Sequence, residues 1–167
     1  MIRVLLVEER RAVRDGFKRL LAAAGEITVV GESGGPGEAK DVAGRVDCDL
    51  ALIGVASPEP ESLEGVSGLT RALPRLHVLV VGPGPGPTLI QEALDRGASG
   101  YVDIARARED LVKAVRFVCR GGVFASALDG RRGPAPGVSS AKASRAGSSG
   151  RGRSASAAGA AGGTRPR

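Results

Sequence analysis

Leu50-Ala51-Leu52-Ile53-Gly54-Val55 is a run of apolar residues bounded by Asp47 and Asp49 on one side and Ser57-Pro58 on the other. An apolar run without polar alternation fits a strand covered on both faces, as in a parallel sheet with helices above and below. Working outward, Arg3 to Glu8 gives a first strand. A helix from Arg11 to Ala24 follows, with Val13, Phe17, Leu20, Leu21 and Ala24 at helical spacing and Gly25 as its stop. Ile27 to Glu32 is a second strand, and after the Gly34-Gly35-Pro36-Gly37 turn comes a helix from Glu38 to Val46. Beyond the central strand, a helix runs from about Ser62 to Leu73 despite Gly65 and Gly68. His77 to Gly82 is the fourth strand, and the Gly-Pro connector from Gly82 to Pro87 excludes regular pairing. Thr88 to Arg96 is helical, Tyr101-Val102 a fifth strand, and Arg108 to Arg120 a last amphipathic helix. Five strand-then-helix repeats predict an α/β fold with one five-stranded parallel sheet and helices on both faces. In such sheets the functional groups lie just beyond the carboxyl ends of the strands. Gly54 stands at that end and offers no side chain.

The 167 residues suit one folded domain, and the formal charge of +6 is unevenly spread. Residues 1–128 hold 16 Lys and Arg against 17 Asp and Glu, a net of −1; residues 129–167 hold 8 Lys and Arg against Asp129 alone, a net of +7. A domain over 1–126 and a tail over 127–167 are therefore expected. Residues 129–167 are chiefly Gly, Ala, Ser, Arg and Pro with Val138 as the one larger apolar residue, a composition expected to be disordered. Such a tail could bind nucleic acid through phosphates without sequence preference, and it lacks aromatic residues for base stacking. Cys48 and Cys119 stand without ligand spacing and read as small apolar residues of a reducing compartment. With no signal-peptide pattern and no apolar run near the roughly 20 residues of a membrane helix, a cytoplasmic protein without membrane association is expected.

Val4-Leu5-Leu6-Val7-Glu8-Glu9, Val13-Arg14-Asp15-Gly16-Phe17, Val29-Val30-Gly31-Glu32, Val78-Leu79-Val80-Val81 and above all Gly97-Ala98-Ser99-Gly100-Tyr101-Val102 carry a resemblance. Over roughly residues 1–126 the chain resembles the receiver domain of bacterial two-component response regulators, in the subgroup joined to a LuxR-type helix-turn-helix. The resemblance implies a flavodoxin-like fold and a particular chemistry. A kinase transfers a phosphoryl group to an aspartate ending the third strand; an acidic pair after the first strand holds Mg²⁺; a Thr or Ser ends the fourth strand and a Lys follows the fifth. Matched position by position, only the acidic pair survives, as Glu8 and Glu9. Gly54 stands at the aspartate position, Gly82 at the hydroxyl position and Ile104 at the lysine position. Tyr101 matches the aromatic that moves in concert with the hydroxyl residue in ordinary receivers; opposite Gly82 it is expected to fill space in one orientation.

These departures predict a pseudo-receiver with no phosphoacceptor, no catalytic residue, no metal and no cofactor. Asp103, Glu59 and Glu61 could join Glu8 and Glu9 in a weak divalent-cation cluster; the plainer reading makes them solvated loop acids. An enzyme is the least favoured class, since no nucleophile and base are paired at the strand ends. The resemblance implies a homodimer or protein partner through the face of the fourth helix, fifth strand and fifth helix, with Ala93, Tyr101, Val112 and Arg116 on it. It also implies a helix-turn-helix after a short linker, yet the residues from Asp129 onward show no helical periodicity. The alternative is thus a truncated or frameshifted DNA-binding regulator lacking its output domain, since a GC-rich coding sequence read in a shifted frame yields this Ala, Gly, Arg and Pro composition.

Overall fold

A computed structural model of the chain describes residues 1–57, 59–84 and 86–126. Pro58, Pro85 and the expected tail from 127 onward lie outside the described residues. Six strands form one sheet: β1 (Ile2–Val7), β2 (Ile27–Ser33), β3 (Leu50–Gly54), β4 (His77–Gly82), β5 (Gly100–Asp103) and β6 (Phe124–Ala125). Their order is β2-β1-β3-β4-β5-β6, every neighbouring pair parallel. The helices are α1 (Arg11–Ala22), α2 (Pro36–Ala43), α3 (Glu64–Ala72), α4 (Pro87–Asp95) and α5 (Ala107–Cys119).

Strand side chains alternate between two cores, the consequence of a period of two on a sheet covered on both sides. Val4, Leu6, Leu50, Leu52, Leu79, Val81 and Val102 pack with Phe17 and Leu21 of α1 and Leu111, Val115 and Val118 of α5. Leu5, Val7, Ala51, Ile53, Val78, Val80 and Tyr101 pack with Ala39 of α2, Val66 and Leu69 of α3, and Leu89 and Ala93 of α4. Both α2 and α4 begin on a proline, Pro36 and Pro87, where the missing N–H costs nothing. A short 3-10 turn, Pro60–Leu63, replaces the first turn expected of the third helix.

The sixth strand corrects the expectation of five. Phe124 and Ala125 pair with Gly100 and Tyr101, so the β5 edge is covered by the chain itself. Glycine at position 100 makes this approach feasible, because a Cβ there would overlap the Phe124 carbonyl oxygen. The turn before β6 closes on Gly121, whose φ of 87° lies in the left-handed region that glycine adopts without strain.

Candidate functional site

The sheet order places a topological switch between β1 and β3, since β2 lies to one side of β1 and the remaining strands to the other. Loops leaving two such strands diverge and open a crevice at their carboxyl ends. Glu8 leaves β1 there and Gly54 ends β3, held level by the pairing of Val7 with Ile53.

Glu8 is 2% exposed, and its carboxylate lies over Gly54: a Cβ at position 54 would overlap Glu8 Oε2. The place where an acceptor side chain would begin is filled. Arg10 holds the carboxylate there. Its backbone N–H and its Nε both donate to Oε1, at 2.8 and 2.9 Å, and Nη2 donates to Oε2 at 3.0 Å. Two parallel bonds from one guanidinium make the strong, geometrically specific form of this pair. Arg10 is also the residue preceding the first turn of α1, which carries no acid and no side-chain cap of its own. Glu8 supplies the anion that such a helix end favours. One turn on, Arg14 Nη1 donates to the Glu8 carbonyl at 3.1 Å, while Arg14 Nε stands 3.1 Å from Glu32 Oε2. The Glu8 hydrogen bond raises the Arg10 pKa further above its ordinary value, so the guanidinium is permanently charged.

Gly82, at the end of β4, is filled differently. A Cβ there would overlap Val55 Cγ2 and the Tyr101 hydroxyl. Tyr101 has no exposed surface, and its hydroxyl donates a long bond of 3.4 Å to the Pro83 carbonyl. Burial, with a smaller contribution from the Asp103 carboxylate, pushes the phenol up to about 12. At the third position, Ile104 packs against the core shared by α1 and α5. Asp103, beside it, accepts the Ala105 N–H at 3.0 Å and caps the short 3-10 turn Ile104–Arg106. Its own N–H donates to Ser126 Oγ, which donates to Asp110 Oδ2; Arg106 Nε reaches the same oxygen at 2.9 Å.

The expected acidic pair is therefore split: Glu8 is buried and bonded, Glu9 is exposed. The alternative cluster is not assembled, since among the described residues no three His, Cys, Asp or Glu side chains converge. These residues do not fit the divalent cation that the resemblance implies. Mg²⁺ needs near-octahedral oxygen ligands at roughly 2.0–2.1 Å, and both Glu8 oxygens already serve a guanidinium. Both cysteines are half-buried free thiols, and burial pushes the Cys119 thiol up to about 11. A cleft of about 330 Å³ opens at the opposite end of the sheet, lined by Val46, Cys48, Leu73 and Leu76 among others.

The expected interaction face needs correcting. Ala93 and Tyr101 are fully buried, because both point into the core beneath α4 and the β5 edge carries β6. Val112 is half-buried against the other core, and Arg116 is exposed but paired with Glu26, at the start of β2. Sequence reasoning missed Arg10, Val55 and the Ser126–Asp110 bond. For Arg10 a signal was present, an arginine two residues after an acid at a strand end.

No family model matches the chain. Relatives do. It is 32% identical over 123 residues to the transcriptional regulatory protein LnrK of Bacillus subtilis, covering 74% of this chain and 56% of that protein. It is 33% identical over 131 residues to the DNA-binding transcriptional activator DevR/DosR of Mycobacterium tuberculosis, covering 78% and 59%. The chain thus spans little more than half the length of the curated relatives it matches. Among solved structures, a LuxR-family two-component response regulator from Aurantimonas superposes with a TM-score of 0.68 at 26% identity, covering 76% of this chain and 90% of that one. The receiver domain of RcsB from Salmonella enterica, at 20% identity and a TM-score of 0.69, shares the fold. No helix among the described residues is long and apolar enough to cross a membrane. With its sheet order and its receiver-length match to these regulators, the described residues form a response-regulator receiver domain similar to those of the LuxR family.

Proposed function

We propose that this receiver is a pseudo-receiver: a non-enzymatic module that regulates transcription from the cytoplasm by protein–protein contact, without taking up a phosphoryl group. The single observation that carries the reading is the Glu8 carboxylate lying over Gly54 under the Arg10 guanidinium. An incoming phosphoryl group would meet neither a nucleophile nor space at that strand end, and at Gly82 it would meet Val55 and the buried Tyr101 phenol in place of a Thr or Ser side chain. The transcription-regulator relatives support the setting. Partner binding would use the outer residues of α4 and α5, with Ala93 and Tyr101 as interior support. Incubation with acetyl phosphate followed by intact mass measurement tests the reading. No adduct is expected; a base-labile phosphoryl adduct on Glu8 or Asp103 would overturn it.

A second reading rests on coverage. The relatives are nearly twice as long as the matched part, so a DNA-binding output segment encoded beyond it, in this or a shifted frame, would make the receiver one half of a transcription factor. Sequencing the gene from the codons for Gly121-Gly122 onward and translating every frame distinguishes the two.

A further inference from the structure

We infer that the Arg10 guanidinium is the resident cation of this site, standing where a receiver would bind a divalent metal, and that the wild-type chain binds no such metal there. Four observations converge. The Glu8 carboxylate is 2% exposed and turned inward over Gly54, away from solvent and a hydrated ion. Both its oxygens accept from Arg10, and one of the three bonds comes from the Arg10 backbone, only two residues away. Local ring closure of this kind needs little ordering and is hard to displace. The neighbouring cations and acids leave no opening: Arg14 holds the Glu8 carbonyl and pairs with Glu32, and Glu9 is exposed and makes no ion pair among the described residues. Asp103, the next acid at this end of the sheet, is turned to its own backbone.

A guanidinium differs from a metal ion in ways that matter here. It carries one charge, not two, so one carboxylate neutralises it. It is covalently attached, so its occupancy cannot follow the concentration of any solute. It also lies at the entrance to α1, so the charge that closes the site fixes the start of that helix. The loop after β1 is thereby held in one arrangement, and the interaction surface is set by folding alone.

The inference concerns the same site as the pseudo-receiver reading, and the two fail separately: a wild-type chain that bound metal yet took no phosphoryl group would overturn only this one. Mn²⁺ titration followed by electron paramagnetic resonance, on the whole chain, provides the test. The wild type is expected to match Glu8→Gln, with no site-bound Mn²⁺ in either. Arg10→Gln should bind Mn²⁺ more tightly than the wild type by about tenfold or more, the scale on which a unit charge within 4–6 Å shifts ion equilibria. Wild-type binding that Glu8→Gln abolishes, or Arg10→Gln binding no tighter than the wild type, would overturn the inference. Should Arg10→Gln fail to fold, the wild type suffices. Its Arg10 Nε–H resonance should be lost in Glu8→Gln and unmoved by Mg²⁺, and a saturable Mg²⁺-dependent shift of that resonance would overturn the inference equally.

Discussion

Gly54, at the end of β3, lies under a charged lid, and Gly82, at the end of β4, lies under an apolar one. The charged lid is directional and bipartite: Glu8 is tolerable in the interior only while Arg10 holds it. The apolar lid of Tyr101 and Val55 depends on volume, since its one hydrogen bond is long. Two strand ends that lack the same kind of group are thus stabilised by different physics, and they should break differently. A change of charge threatens the first far more than the second.

The largest effect is expected from Gly54→Asp, the substitution that would appear to repair the receiver. It sets a second carboxylate against a buried one with a single guanidinium for both, and should cost about 3–5 kcal/mol in urea unfolding. Gly54→Asn adds nearly the same volume without the charge, at about 1–3 kcal/mol, so the gap between the two variants isolates the charge contribution. Equal losses would mean that Glu8 moves aside and the lid is steric at both ends.

Next comes Arg10→Ala, which strips a charged hydrogen-bond partner from a buried carboxylate that the partner, itself 44% exposed, shields only from one side. A loss of about 1.5–3 kcal/mol is expected in urea unfolding. A loss below about 0.5 kcal/mol, the ordinary scale of a surface substitution, would show that Glu8 is not held in place by Arg10.

Gly82→Thr should cost about 1–3 kcal/mol through overpacking against Val55 and Tyr101. Its signature is optical. Tyr101 is the single tyrosine and there is no tryptophan, so intrinsic fluorescence reports on this ring alone. Acrylamide should quench the variant more strongly than the wild type, and the phenol should titrate closer to its ordinary value of 10 than to about 12. An unchanged titration would mean that Val55, not Tyr101, yields.

The smallest effect is expected from Tyr101→Phe, about 0.5 kcal/mol, because a 3.4 Å bond lies at the weak end of the range. In the wild type the folded phenol keeps its proton while the unfolded one loses it above pH 10, so Tyr101 makes stability fall as pH rises from 10 toward about 12. Tyr101→Phe should flatten that decline, and denaturation at a series of alkaline pH values would measure it.

The parts of the fold legible in the sequence are those where burial on both faces wrote long apolar runs, such as Leu50–Ile53 and His77–Gly82. Two elements were not legible in this way. β6 is two residues long and follows a Gly-Gly pair, too short for any periodicity, and its existence depends on the absence of a side chain at Gly100, 24 positions earlier. The second helix runs from Pro36 to Ala43 instead of Glu38 to Val46: Pro36 starts it early, and Gly44 stands at its C-terminal cap. At the site, position in register made Gly54 and Gly82 readable. What covers them was not, since an acid and an arginine two apart are common and only the bend after β1 folds one onto the other. Ala93 illustrates the reverse error. Its spacing from Leu89 already placed it on the apolar stripe of α4, and a residue on that stripe cannot also face a partner.

The sixth strand has a bearing on colloidal behaviour. A strand at the border of a sheet offers a row of unpaired N–H and C=O groups to any passing chain, and β5 would do so with Tyr101 and Val102 beneath it. Phe124 and Ala125 occupy that row, the Phe117 ring packs on Gly122 behind them, and Ser126 is tied to Asp110 and to the Asp103 N–H. Three residues at the exit from the domain thus serve as a guard against strand-to-strand aggregation. Loss of that guard would show as light scattering at protein concentrations the intact chain tolerates, well before any loss of the cores beneath.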